Sequence, residues 1–238
     1  MKIKQGLALV TVSVGIAIAA SVGDGAAQGP ATTDQIVAAV KQNLGESQKR
    51  LRQYEWIETT AISLKGEEKS RAQKRCYYGA DGVLQKVPVT APAAESKKRG
   101  LRGKIVANKK EELADYIQSA AALMKSYIPP DPAKLQAVQE AGKVSIDMLE
   151  PGKRVKVNFA DYAKPGDKLG VELDVEGNRL LGLTVGSYLA EPKDAVQLDA
   201  RFGLLNDGAS YPKQITLNAP AKNMVVTVEN SGYRKAGQ

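Results

Sequence analysis

The sequence predicts an α+β fold, namely a strongly curved antiparallel sheet, or half-open β-barrel, with about three helices covering its concave face. From residue 144 onward, apolar and polar side chains alternate so regularly that each strand has one dry face and one wet face. A sheet of about nine such strands must curl around something or pack on helices. The three predicted helices are too few, and lie at the wrong points in the chain, for a parallel doubly wound fold.

The first half of the mature chain predicts one helix and three strands. The helix spans residues 34–52, where a cap at Thr33 or Asp34 precedes apolar side chains at helical spacing: Ile36, Val37, Val40, Leu44 and Leu51. From residue 54 the apolar period changes to two, which predicts a strand over 54–64. Turn residues at 65–68 and 79–82 then separate two further strands, over 71–78 and 83–89.

The middle of the chain predicts a basic loop and two helices. Residues 90–108 are rich in Ala, Pro, Lys and Arg and show no apolar period, which favours a loop. Asn108 and Glu111 have the spacing of a capping box and predict the start of a helix that ends before Pro129. Asp131-Pro132 predicts the next helix, which ends near Gly142.

The rest of the chain predicts an antiparallel meander, because glycine- and proline-rich turns separate its alternating segments. The apolar positions that define these strands are as follows: Val144, Ile146 and Met148; Val155, Val157 and Phe159; Leu169, Val171, Leu173 and Val175; Leu181, Leu183 and Val185; Val196, Leu198, Ala200 and Phe202; Ile215 and Leu217; Met224, Val226 and Val228.

The N-terminus predicts a secretory signal peptide over residues 1–27. A basic start precedes an apolar stretch over 7–20, and small residues follow at 25–27. Cleavage after Ala27 is favoured over cleavage after Ser21, and a membrane anchor is the alternative, although an anchor needs about 20 apolar residues. We therefore expect a periplasmic or secreted protein with one domain over 28–238, in which 90–142 form a basic loop and helical insertion.

Composition narrows the classes of function. The formal net charge is +8, and a basic exported protein can meet anionic phospholipid, lipopolysaccharide or cell-wall polymers. The chain has no histidine, which excludes a Ser-His-Asp or Cys-His hydrolase and removes the usual ligand of zinc or copper. We therefore expect no enzyme and no cofactor. Cys76 is the only cysteine, so it forms no intramolecular disulfide, and its thiol is expected to be buried, with a reactive thiol or an intermolecular bridge as the alternatives.

The order of these elements resembles the periplasmic lipoprotein-carrier family, which has the LolA-like fold. The resemblance lies in Leu51-Arg-Gln-Tyr54-Glu-Trp56, where a helix runs into an aromatic first strand, and in the strand–turn–strand unit over 171–183. The final pair over 211–217 and 225–233 is also similar. The chain differs where that family has a basic residue and a proline, since Lys74-Arg75 is followed by Cys76. The resemblance implies that acyl chains bind in an apolar hollow between the sheet and the helices.

Two candidate sites follow, each with a structural alternative. The hollow would be lined by apolar side chains of the concave face, although these can equally be ordinary core: Trp56, Ile62, Leu64, Val157, Phe159, Leu173, Leu183 and Val185. A basic cluster could contact an anionic surface, or it could be a solvated loop: Lys97, Lys98, Arg99, Arg102 and Lys104. No aromatic residues interleave with this cluster, which argues against nucleic acid.

A third pattern, Glu172, Asp174 and Glu176, could hold calcium or act as an acid–base pair, but alternation with Val171, Leu173 and Val175 explains it as the wet side of a strand. The leading hypothesis is therefore a non-enzymatic envelope protein that binds a lipid or the acyl part of a lipoprotein. The alternative is a periplasmic binding module with a fully packed core, which recognises an envelope protein or an anionic polymer through the wet face and the basic loop.

Overall fold

The computed structural model describes residues 33–89 and 101–237, with residues 101–110 described through their backbone only. The described part of the chain contains three helices, ten strands and one 3-10 turn. In chain order these are α1 Thr33–Leu51, β1 Tyr54–Leu64, β2 Glu67–Tyr78, β3 Leu84–Pro88, α2 Leu101–Lys125, α3 Pro132–Glu140, β4 Val144–Glu150, β5 Arg154–Ala160, β6 Lys168–Asp174, β7 Arg179–Tyr188, β8 Ala195–Leu204, β9 Ser210–Ala219, the 3-10 turn Pro220–Lys222 and β10 Met224–Lys235.

All ten strands belong to one antiparallel sheet in the order β3-β2-β1-β10-β9-β8-β7-β6-β5-β4. The sheet is curved but not closed, because its edge strands β3 and β4 each pair with one neighbour only. Sequence neighbours pair almost throughout, and the exception is β1, which also pairs with β10 and so joins the first strand to the last. The predicted α+β class, with a half-open sheet and three helices, is confirmed.

The hydrophobic core lies between one face of the sheet and the three helices. Its helical contributions are Val37 and Leu44 from α1, Ala120 and Met124 from α2, and Leu135 and Val138 from α3. Inward-facing side chains of β5 to β10 complete the same cluster. We call this covered side of the sheet the inner face and the opposite side the outer face.

Two predicted boundaries were wrong. The helix predicted to start at Asn108 begins at Leu101, so 101–108 are helical and Asn108 lies inside α2 rather than at its cap. The loop prediction rested on the missing apolar period, but most residue types of this stretch are compatible with a helix even without an apolar stripe. Strand β2 begins at Glu67 rather than near Arg71, because Lys65 and Gly66 alone make the turn, both with positive φ (52° and 83°).

The predicted start of α3 is confirmed. The Asp131 carboxylate accepts a hydrogen bond from the Ala133 backbone amide over 2.8 Å, and Pro132 is the first helical residue. The Tyr162 hydroxyl accepts a hydrogen bond from the Asp131 amide over 2.7 Å, which ties the start of α3 to the end of β5.

Candidate functional site

The inner face carries continuous rows of apolar side chains across the sheet. One row crosses seven strands from β5 to β1, with each member paired to the next: Phe159, Leu169, Val185, Leu198, Leu217, Val226 and Ile62. The next row runs parallel to it: Val157, Val171, Leu183, Ala200, Ile215 and Val228. This arrangement follows from the two-residue period of each strand, since a shift of one residue would turn a whole strand's apolar set outward.

Five of the eight residues predicted to line a hollow lie deep in this core, with at most 3% of their surface exposed: Val157, Phe159, Leu173, Leu183 and Val185. They belong to one cluster with the buried side chains of all three helices. The structure therefore brings these five together, beneath the helices.

Ile62 and Leu64 lie at the rim of this cluster rather than inside it. Both are half-buried side chains that pack against the core from the last residues of β1. Ile62 pairs with Val226 and Leu64 pairs with Met224, so the apolar inner face extends to the end of the sheet where β1 stops and β10 begins.

Trp56 belongs to a separate aromatic cluster. Its ring stacks on Tyr233 with 5.3 Å between centroids, and Tyr54, Tyr78 and Tyr211 surround the pair. The Trp56 indole donates a hydrogen bond to Asn230 Oδ1 over 2.9 Å, and Asn230 donates in turn to the Pro212 carbonyl over 2.8 Å. The aromatic side chains hold the first and last strands together at the end of the sheet remote from Leu64.

Polar side chains separate this aromatic cluster from the apolar rows. The Lys86 ammonium contacts the Glu58 carboxylate over 2.5 Å, and only 12% of the Glu58 side chain is exposed. Cys76 is fully buried, as expected, and burial raises the pKa of its thiol, which favours the inert protonated form. The apolar inner face therefore ends between Ile62 and Glu58.

Helix α2 is anchored at its C-terminal end by a buried hydrogen-bond network. The Tyr127 hydroxyl donates to Asp167 Oδ2 over 2.5 Å and lies 2.8 Å from the Ser187 hydroxyl. Asp167 Oδ2 also accepts from the backbone amides of Ala163 and Lys164. Burial raises the pKa of Tyr127, which keeps the phenol protonated as a donor.

Farther towards the N-terminus of α2, the contacts that hold the helix to the sheet are exposed. The Lys222 ammonium in the 3-10 turn lies 3.4 Å from Glu112 Oε1 and 5.4 Å from the centroid of the Tyr116 ring. Of the Glu112 side chain, 73% is exposed, so the ion pair contributes at most about 1 kcal/mol. Helix α2 thus crosses one end of the sheet with a buried anchor near Asp167 and an exposed anchor near Lys222.

The side chains of α2 between these anchors pack against the core. Ala120 and Met124 are buried, whereas Leu113, Tyr116 and Ile117 are half-buried against the core. Sequence reasoning missed the two anchors, since Tyr127, Asp167, Ser187 and Lys222 belong to no motif. The sequence predicts a turn over Lys164-Pro165-Gly166-Asp167, but it does not show that the Asp167 carboxylate faces inward.

The predicted basic cluster lies outside the described side chains. Lys97, Lys98 and Arg99 fall in the segment 90–100, and Arg102 and Lys104 lie in the part of α2 that is described through its backbone only. Their contact with an anionic surface stays a prediction.

Two of the three residues of the acidic pattern, Glu172 and Asp174, lie on β6 and form ion pairs. Glu172 contacts Arg154 over 2.6 Å and Arg201 over 3.7 Å on the outer face. The Asp174 carboxylate accepts from the Gly177 amide and from Arg179, and both hydrogen bonds lower the pKa of Asp174. Among the described residues, no group of three or more Cys, Asp and Glu side chains could hold a metal ion.

Comparisons with solved structures find distant similarities over most of the chain. A LolA superfamily protein from Nitrosomonas europaea shares 10% identity at a TM-score of 0.37, over 83% of this chain and 94% of its own. A domain from Vibrio parahaemolyticus, described as an outer membrane lipoprotein-sorting protein domain, shares 13% identity at a TM-score of 0.37, over the same shares. A DUF1329 family protein from Desulfovibrio piger shares 9% identity at a TM-score of 0.33, over 84% of this chain and 94% of its own.

No family model matches the sequence, and no curated protein matches it. No helix in the described ranges 33–89 and 101–237 combines the length and the apolar character that crossing a bilayer requires.

Proposed function

We propose that this chain is an exported, non-enzymatic protein of the bacterial envelope that binds lipid, or the acyl chains of a lipoprotein, on the inner face of its sheet. The observation that carries the proposal is helix α2, which packs apolar side chains against the core, while among the described side chains its only polar contact with the 3-10 turn is to the exposed Lys222. Because only one end of α2 is held by buried hydrogen bonds, the helix can move away from the sheet at its exposed end.

An acyl chain would bind to these apolar residues in two stages. Ile62 and Leu64 are half-buried beside the exposed anchor of α2, so an acyl chain would contact them first. Deeper insertion would follow the paired rows towards Leu183 and Val185, and then Val157, Phe159 and Leu173, which are buried while α2 is closed. Trp56, beyond the polar pair Glu58–Lys86, would bound the hollow rather than contact the chain along its length.

The polar contacts at the exposed anchor are weak compared with the burial of an acyl chain. Each methylene that leaves water contributes about 0.8 kcal/mol. The Lys222–Glu112 pair contributes at most about 1 kcal/mol, and the cation–π contact with Tyr116 about 0.5–1 kcal/mol. The contacts at the exposed anchor can therefore be offset by burial of a few methylenes, whereas the buried Tyr127–Asp167 anchor would remain in place.

A pair of glutamate substitutions on adjacent strands tests the proposal. Ile62 faces inward and pairs with Val226, whereas Val225 is exposed on the outer face one residue away. A fluorescent fatty-acid probe should bind the wild type, bind the Ile62→Glu variant at least tenfold more weakly, and bind the Val225→Glu control as it binds the wild type. Equal binding by both variants, or no binding by the wild type, would contradict the proposal.

A second candidate function is favoured by the tight packing of the inner face. Five of the predicted lining residues are at most 3% exposed under the helices, which is what a binding module with a filled core would show. Such a module would recognise an envelope protein or an anionic polymer through the outer face and the basic residues at 97–104. It predicts salt-sensitive capture of the partner with no affinity for the fatty-acid probe.

A further inference from the structure

The outer face of β7, β8 and β9 carries two adjoining depressions, each of about 360 Å³. The first is lined mainly by Thr184, Gln197, Asp199, Thr216 and Asn218, and the second extends along β7 to Pro165, Tyr188 and Pro192. Both include Gly186 and Gln197, so they form one continuous surface, which we call the outer groove. This site is on the opposite side of the sheet from the proposed acyl site.

The strand register builds the groove from two polar rows. Gly186, Gln197 and Asn218 lie opposite one another on β7, β8 and β9, and so do Thr184, Asp199 and Thr216. Gly186 is exposed, and a Cβ atom added to it would have nothing within 4 Å, so the missing side chain leaves open space beside the amide of Gln197. The neighbouring row on the same strands is filled instead, because Arg201 and Glu172 lie over Gly182.

The polar side chains of the groove have unused hydrogen-bonding capacity. No hydrogen bond joins the side-chain amides of Gln197 and Asn218 or the hydroxyls of Thr184 and Thr216 to another described residue. Some polar side chains elsewhere on this face do pair with each other, as Arg154 does with Glu172 and Asn158 with Asp147. Two amides and two hydroxyls offer donors and acceptors together, which suits a ligand that also carries both.

The charge of the groove is nearly neutral. Asp199 is paired with Arg201 over 3.0 Å, and among the described residues Lys168 is the only cationic side chain that lines either depression. The second depression is apolar over most of its lining and includes a wall of Pro165, Tyr188 and Pro192, and the Lys164 ammonium lies 4.0 Å from the centroid of the Tyr188 ring. A ligand with hydroxyls around its rim and C–H groups on its faces matches both surfaces, and that is the chemistry of a sugar ring.

We propose that the outer groove binds an uncharged oligosaccharide. Gln197, Asn218, Thr184 and Thr216 contact its hydroxyls, and the Pro165–Tyr188–Pro192 wall contacts the faces of its rings. The open space at Gly186 admits the chain. Binding here is independent of acyl binding on the inner face, so either proposal can fail without the other.

Nuclear magnetic resonance titration of the purified protein with chitotetraose and cellotetraose, each up to about 10 mM, tests the proposal. At least one of the two should shift the Gly186 backbone resonance and the Gln197 and Asn218 side-chain amides. A sulfated heparin tetrasaccharide tests whether charge alone drives binding through Lys168. No response to either neutral sugar, or a response to the sulfated one alone, would overturn the proposal.

Two pairs of variants locate the binding. Gly186→Leu fills the open space, whereas Ala61→Leu places the same side chain on the outer face of β1, outside the groove. Gly186→Leu should weaken binding of the neutral sugar about tenfold or more, while Ala61→Leu stays within about twofold of the wild type. Gln197→Ala should weaken binding, and Gln214→Ala, which removes an exposed amide of β9 outside the groove, should not. Equal effects within either pair would place the binding elsewhere and overturn the assignment.

Discussion

Tyr127 donates a hydrogen bond to Asp167 over 2.5 Å, and this pair joins the end of α2 to the start of β6 inside the core. The Tyr127 side chain is fully buried and Asp167 is 1% exposed. A carboxylate at that depth needs donors, and it receives them from one hydroxyl and two backbone amides. The pair therefore fixes the end of the helix that, in our account, must stay in place when the other end opens.

Replacing this phenol tests its role in the anchor. Tyr127→Phe leaves Asp167 with one donor fewer, and its Oδ1 atom already lacks a partner among the described residues. We expect the free energy of unfolding to fall by about 1.5–3 kcal/mol, since the lost bond involves a charged acceptor. Urea denaturation measures the change. Tyr188→Phe is the matched control, because it removes an exposed hydroxyl that donates to the Pro165 carbonyl, and it should cost less than about 1 kcal/mol.

Reversing a charge at the exposed anchor should loosen α2 without unfolding the protein. Lys222→Glu places two carboxylates side by side near Glu112 and removes the cation from the Tyr116 ring. We expect a stability loss below about 2 kcal/mol and faster uptake of a fluorescent fatty-acid probe in stopped-flow measurements. Lys153→Glu makes the same change in charge at an exposed ion pair with Glu150, at the end of β5 remote from Asp167, and should leave uptake unchanged. Equal uptake by both variants would show that Lys222 does not hold the cover closed.

Asn230 should be more important for stability than its size suggests. It accepts from the Trp56 indole and donates to the Pro212 carbonyl, and only 7% of its surface is exposed. Asn230→Ala removes the partner of the buried Trp56 N–H and a hydrogen bond to the part-buried Pro212 carbonyl, and it should cost about 2–4 kcal/mol. Trp56 is the only tryptophan, so its fluorescence reports the unfolding and the change in its surroundings directly. Asn218→Ala, which removes an amide without a partner on the outer face, should change neither the stability nor the emission.

At alkaline pH, the free energy of unfolding should depend on Tyr233. Burial, with Tyr211 close by, raises the pKa of the Tyr233 phenol above its ordinary value. The unfolded chain therefore releases this proton first, near pH 10, and stability falls as the pH rises above that value, with a slope of about 1.4 kcal/mol per pH unit for one proton. Tyr233→Phe removes this ionisation. The difference in the free energy of unfolding between variant and wild type should therefore stay constant from pH 7 to pH 9 and change in favour of the variant above pH 10. Urea denaturation of both proteins at each pH gives this difference, and the titration of the lysines drops out of it because both proteins have the same lysines. A constant difference across this range would contradict the assignment.

Much of the sheet could be predicted from the sequence because its signal is local. Each strand from β5 to β10 alternates so clearly that the side chains of the inner face, such as Val157 and Leu183, follow from the period alone. The turn residues between these strands also fixed most of their order. The strand pair β1–β10 could not be predicted in this way, since it joins residues that lie far apart in the sequence.

The site depends more on contacts that no local pattern encodes. Ile62 and Val157 look alike in the sequence, yet one lies at a half-buried rim and the other in the core, and that difference depends on the tertiary packing around each strand. Tyr127 and Asp167 are 40 residues apart and become partners only when α2 crosses the end of the sheet. The outer groove arises from the register of three strands around Gly186, which a single strand's pattern cannot show.

Native mass spectrometry of the protein purified from the cell envelope tests the central claim most directly. We expect a population whose mass exceeds that of the chain by one lipid or acylated species, and we expect this population to be lost in Ile62→Glu and kept in Val225→Glu. A wild-type protein that carries no lipid, and that takes up no fatty acid when it is offered in excess, would contradict the claim that the inner face beneath α2 binds acyl chains.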